Sequence, residues 1–121
     1  MVELKYHQSA FNFITYCLVS NEKQLKQVRK KHCIPKADLP KKKDGAITNF
    51  LYFEVGTLAV VQLHDTGHEL HEVLGLLSHE CVHIKQQVMD SIGERKPSDE
   101  FEAYFLQDLV TNLTKDYLEK V

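Results

Sequence analysis

Leu70-His71-Glu72-Val73-Leu74-Gly75-Leu76-Leu77-Ser78-His79-Glu80-Cys81-Val82-His83-Ile84-Lys85-Gln86-Gln87-Val88 is the stretch whose periodicity settles how the chain is built. At about 100° per residue, Leu70, Val73, Leu74, Leu77, Cys81, Ile84 and Val88 fall on one stripe, the pattern of a helix with one face in a core. Thr66-Gly67-His68-Glu69 just before it has the S/T-x-x-E form of a capping box, so a helix is expected from about residue 67 to Ser91, with Gly93 as its stop. The opposite face holds Glu72, Gly75, Leu76, His79, His83, Gln86 and Asp90. A helix with one face for the core and a second for ligand-type side chains needs a sheet and a further helix to cover the first.

The flanking sequence supplies both. Ile47 to Val55 and Leu58 to His64 are β-rich runs separated by Gly56-Thr57, which predicts an antiparallel hairpin immediately upstream. Downstream, Pro97-Ser98-Asp99 opens a last helix running nearly to Val121, with Ser98 as its cap and its apolar stripe at Phe105, Leu106, Leu109 and Leu113. Further toward the N-terminus, Phe11 to Val19 reads as a strand because aromatic and β-branched residues suit a pleated surface. Glu22 to His32 reads as a short basic amphipathic helix capped by Ser20-Asn21, and residues 34 to 46, with Pro35, Pro40, Lys41 to Lys43 and Asp44-Gly45, as a surface loop. The expected class is α+β in the order β-α-β-β-α-α, one domain over residues 1–121, with a small sheet packed against the central helix and a C-terminal helix.

Composition narrows the function classes. Of 121 residues, 43% are hydrophobic and 26% charged, with 3 Pro and 5 Gly, close to globular averages and far from collagen-like or disordered chains. No apolar run approaches the roughly 18 residues of a membrane span, and the polar start Met1 to Gln8 lacks the apolar core of a secretion signal, so a cytoplasmic protein is expected. Cys17, Cys33 and Cys81 form no C-x-x-C pair and signal neither a disulfide framework nor a four-thiolate zinc site. The formal net charge of −2 conceals a split: residues 1–43 hold 10 Lys or Arg against 3 Asp or Glu, and residues 44–121 hold 5 against 14. Either the basic part has an acidic partner or one half of the fold faces the other.

His79-Glu80-Cys81-Val82-His83 is an H-E-x-x-H sequence inside the expected helix. Residues four apart share a face, so two imidazoles can bind one metal ion while Glu80 projects toward a metal-bound water. The bland alternative is a solvated face that happens to hold two histidines and a glutamate. A third ligand is offered by Glu102, which falls at the centre of the last helix's apolar stripe and would point inward; a divalent cation would compensate a carboxylate placed there. The competing reading makes Glu102 the third residue of a capping box begun by Asp99.

His79-Glu80-Cys81-Val82-His83, followed by Glu102-Ala103 on a second helix, resembles the zincin metallopeptidases, in particular the gluzincin-type branch with a glutamate as third ligand and its small regulatory intracellular members. The likeness spans residues 47 to 113. It implies a minimal zincin-like fold, a Zn2+ ion on His79, His83 and Glu102, Glu80 as general base, and hydrolysis of peptide bonds in a protein or peptide substrate. No H-E-x-x-H-x-x-G-x-x-H extension is present, which excludes the three-histidine metzincin pattern. In such an architecture the strand beside the cleft, here Leu58 to His64, would pair with an extended substrate.

Other features carry less. Besides zinc, His64, His68, His71 and Tyr104 are available to stabilise an oxyanion, and the three histidines could be imagined as a second metal site, but no acid or thiolate at fixed spacing completes it. Cys81 lies on the core stripe and reads as a small buried hydrophobe. The basic segment 23–43 defines the alternative function: a non-catalytic module whose metal is structural and whose lysines bind a protein partner or, less expected, nucleic acid.

Overall fold

Alternation along two short strands sets the layers. In β2 (Thr15–Val19), Tyr16 and Leu18 point to one side and Cys17 and Val19 to the other, and all four are buried. The same holds in β4 (Gly56–His64), where Ala59, Val61 and Leu63 join one core and Leu58 and Val60 the second. Strands buried on both faces need cover on both, and the chain provides it. The computed structural model describes residues 4–64, 67–94 and 96–119. Its remaining elements are β1 (Tyr6–Gln8), α1 (Glu22–His32), β3 (Gly45–Phe53), α2 (Leu70–Ser91) and α3 (Asp99–Glu119).

The protein is a mixed α+β fold with one four-stranded sheet in the order β1-β2-β4-β3. β2 runs parallel to β4, with Cys17 opposite Val60, while β1 and β3 are antiparallel to their neighbours. Against one face lie α2 and α3, whose Val73, Leu77, Cys81, Ile84, Phe105, Leu109 and Leu113 close over Tyr16, Leu18, Ala59 and Val61. Against the other lie Leu25 and Val28 of α1 with Ile34 and Leu39 of the following loop. Each fully buried aliphatic side chain contributes about 1.5–3 kcal/mol of transfer free energy, so the two cores together hold the sheet from both sides. The basic α1 and its lysine loop are thereby separated by the sheet from the acidic α2–α3 layer, while Lys5 and His7 of the N-terminal part pair with Glu119 and Asp116 of α3.

Several sequence expectations are met by the local chemistry. Asn21 Oδ1 accepts from Gln24 N at 2.8 Å and starts α1 at Glu22, and Ser98 Oγ accepts from Phe101 N at 3.2 Å at the head of α3. Others change. The expected strand from Phe11 begins only at Thr15, because Ala10–Asn12 turn in a 3-10 helix in which Phe11 and Asn12 have φ of 58° and 54°. Strand β1 was not expected; three residues are too short to show an alternation. The hairpin forms, but Phe53 pairs with Gly56, so Glu54 and Val55 make the turn. Thr66 of the expected capping box lies outside the described residues; Glu69 is the N-cap, its backbone N–H donating to Glu72 Oε1 at 3.0 Å, and α2 begins at Leu70.

Among the described residues no helix is long and apolar enough to cross a membrane.

Candidate functional site

Helix α2 carries His79 and His83 one turn apart on its exposed side. Their Nε2 atoms are 3.1 Å from each other and the rings stand edge to face, 4.8 Å between centroids. Two nitrogens ligating one ion at about 2.0–2.1 Å lie at a separation of this size, so the pair fits a divalent transition metal as a two-point chelate.

Glu80 points elsewhere. A residue next to His79 is turned about 100° round the helix, which brings Glu80 against the sheet, where it is 5% exposed. There Thr48 of β3 donates its hydroxyl to Glu80 Oε1 at 2.9 Å, so the buried carboxylate has a hydrogen-bond donor. His79 and Glu80 nevertheless line one cavity of about 460 Å³ with Glu72, Gly75 and Ala46. Gly75 lies on its wall, where a Cβ would meet no atom within 4 Å. The cavity lies where α2 passes β3, and β3 is a terminal strand of the sheet.

Glu102 does not complete the site. It is half-buried rather than central to the α2–α3 interface, and its Oε1 accepts from Lys85 Nζ at 2.5 Å. Lys85 stands two residues beyond His83 on α2, so the helix brings its own cation to the acid from α3. Among the described residues no three His, Cys, Asp or Glu side chains gather where they could hold one ion. The likeness to gluzincin-type zincins is therefore overturned at its defining feature: His79, His83 and Glu102 do not gather at one point, and the half-buried Glu102 is paired with the Lys85 ammonium. Apolar periodicity placed Glu102 near the interface, but it could not register a lysine on the facing helix.

A second correction concerns the substrate strand. Leu58 to Gln62 pairs with β2 on one side and β3 on the other, so that length of the strand has no edge open to a peptide. The open edge beside α2 belongs to β3.

The remaining candidates disperse. Buried His64 lies 3.0 Å from Gln62 Oε1 in a network that also ties Lys42 N and Pro40 O to the Gln62 amide, which fixes the lysine loop to β4. Burial lowers its pKa, and Lys41 adds to the shift. His71 is exposed near Glu69, Tyr104 is exposed on α3, and His68 lines the cavity of His79 and Glu80. Burial pushes the Cys81 thiol up to about 12, with Glu80 contributing, as befits a small side chain inside the α2–α3 core. Thr48 was missed by sequence reasoning; a single threonine in a β-rich run carries no signal that it will meet an acid 32 residues away.

No family model, curated protein or solved structure matches this chain.

Proposed function

We propose that the chain is a metal-dependent hydrolase that cuts an amide bond in a peptide substrate, with one divalent ion, zinc by preference, held by His79 and His83 alone. The observation that carries this reading is the 3.1 Å approach of the two Nε2 atoms next to a buried, hydrogen-bonded glutamate. An ion held by His79 and His83 would supply Lewis acidity and activate a water for attack. Glu80 would then be the general base: Thr48 fixes its orientation through Oε1, and the carboxylate would take a proton from a water in the cavity it shares with His79. The cavity shared by His79 and Glu80 gives the scissile group a place, and the free edge of β3 offers main-chain donors and acceptors to an extended peptide.

The second reading is a metal-binding module without catalysis whose basic face engages an acidic partner. It is favoured by the position of α1 and its lysine loop, on the side of the sheet away from the acidic helices. One experiment separates the two. Zinc-loaded protein is incubated with an unbiased peptide library and compared with Glu80→Gln. Cleavage that falls at least about 100-fold in the variant, while both proteins keep one equivalent of zinc, supports hydrolysis. A wild-type protein that holds zinc and cleaves nothing supports the module.

A further inference from the structure

The two terminal strands of the sheet differ in how their edges are defended. β1 is three residues long, and Lys5 and His7 tie it to Glu119 and Asp116 of α3. Short length and charge are ordinary ways to keep a sheet edge from pairing with another chain. β3 has neither: Gly45-Ala46-Ile47-Thr48-Asn49-Phe50-Leu51-Tyr52-Phe53 contains no charged residue and no proline. Its register with β4 runs unbroken from Gly45 to Phe53, without a bulge that would turn the edge away. Ile47, Tyr52 and Phe53 are exposed along it.

The hairpin fixes which groups face outward. Phe53 and Gly56 close a two-residue turn as a hydrogen-bonded pair, so Phe53, Leu51, Asn49, Ile47 and Gly45 direct their main-chain groups to β4. The N–H and C=O groups of Ala46, Thr48, Phe50 and Tyr52 therefore point away from the sheet, where no further strand meets them among the described residues. The side chains of these four lie on the α2 side: Ala46 and Phe50 pack on its core, Thr48 meets Glu80, and Tyr52 Oη accepts from Gln87 Nε2 at 2.8 Å. Helix α2 thus covers a face of β3 and not its edge.

We infer that the outer edge of β3 pairs antiparallel with β3 of a second copy of this chain, joining the two sheets into one about a two-fold axis. Outward-facing residues must oppose outward-facing residues, and the registers of longest overlap place Thr48, Asn49 or Phe50 on the axis. Charge chooses among them. With Asn49 on the axis, Asp44 faces Glu54 of the copy; with Phe50 there, Glu54 faces the methyl of Ala46. With Thr48 on the axis, Ala46 faces Phe50 and Lys42 comes opposite Glu54, twice by symmetry. Opposite charges at both ends of a strand that has none of its own to repel make the edge complementary to itself. One consequence rests on the hydrolase reading: the edge is the one a peptide substrate would use, so the dimer is the closed form of the enzyme.

The test is sedimentation velocity of the full chain across the micromolar to millimolar range, with amide hydrogen exchange on the concentrated sample. The expected result is a monomer–dimer equilibrium in which exchange slows at Ala46, Thr48, Phe50 and Tyr52 but not at Ile47 or Leu51, which are already bonded to β4. Ile47→Lys, a charge placed on the edge at an exposed position, should weaken the dimer at least about tenfold. Glu54→Lys and Lys42→Glu, both at exposed positions outside the strand, should each weaken it about tenfold. An equimolar mixture of those two variants should recover the wild-type affinity, because each contact again joins opposite charges. A monomer at millimolar concentration overturns the inference. So do a dimer indifferent to Ile47→Lys, slowed exchange confined to other residues, or a mixture no tighter than its components. Cleavage per chain should fall as the dimer forms; a zinc-loaded protein that cleaves nothing at any concentration defeats the hydrolase reading, and sedimentation still decides the pairing.

Discussion

Thr48 on β3 donates its hydroxyl to Oε1 of Glu80 on α2 at 2.9 Å, joining the terminal strand of the sheet to the acid between the two exposed histidines. The bond explains how a carboxylate tolerates 5% exposure in this layer. Thr48→Val keeps the shape and removes the donor, leaving a buried carboxylate under-satisfied. A loss of about 1–3 kcal/mol in unfolding free energy is expected from denaturant titration. Glu80→Gln, which still presents an oxygen to Thr48, should cost less than Thr48→Val. The reverse order would show that Glu80 does not depend on Thr48.

Glu102 and Lys85 satisfy each other, so Glu102 is expected to be dispensable for metal binding. Zinc affinity measured by competition with a chromophoric chelator should change by less than about threefold in Glu102→Ala. It should fall at least about 100-fold in His79→Ala and in His83→Ala, each of which leaves one imidazole. A collapse of affinity in Glu102→Ala would restore the three-ligand centre.

Gly75 sits inside α2 with open space where a Cβ would go. Glycine in a helix interior costs about 0.5–1 kcal/mol relative to alanine, so Gly75→Ala should raise stability by that amount in thermal unfolding. The same methyl enters the cavity of His79 and Glu80, and peptide cleavage should fall while stability rises. A variant both more stable and equally active would mean that the substrate does not pass Gly75.

His64 and His32 both have pKa values lowered by burial, helped by Lys41 and Lys31 respectively. In the unfolded chain both return to about 6.5, so below that pH the unfolded state binds protons that the folded state refuses. Their stability contribution is complete above pH 6.5 and declines as pH falls from there toward the folded-state values. The melting temperature should be lower at pH 5.5 than at pH 7.5, and His64→Gln should flatten the dependence. An unchanged slope in that variant would remove His64 as its source.

Where residues act through local periodicity, the sequence was readable. The α1 bounds, the hairpin, the Ser98 cap and the α2 core stripe from Val73 to Val88 follow from spacing and from side chains that satisfy nearby backbone donors, whereas Leu70 of the expected stripe is exposed and Glu80, outside it, is buried. What it hid depends on distant partners. Periodicity could indicate that Glu102 lies near α2, but not that Lys85 would meet it there. The substrate strand was misplaced because strand order is not sequence order: β2 pairs in parallel with β4 and closes its edge, an arrangement fixed by burial on both faces of the two strands. Phe11 and Asn12 end the expected strand early because Ser9 and the stacked phenylalanines impose a turn on residues whose propensity is extended.

The central claim is that one ion sits on His79 and His83 without a third protein ligand. Anomalous diffraction at the zinc edge, from crystals grown with one equivalent of zinc and washed free of excess, tests it most directly. The account predicts a single strong peak about 2.0–2.1 Å from both Nε2 atoms, with Glu102 still on Lys85. A peak bound by only one of the two imidazoles, a peak that Glu102 has left Lys85 to ligate, or no peak at all would contradict it.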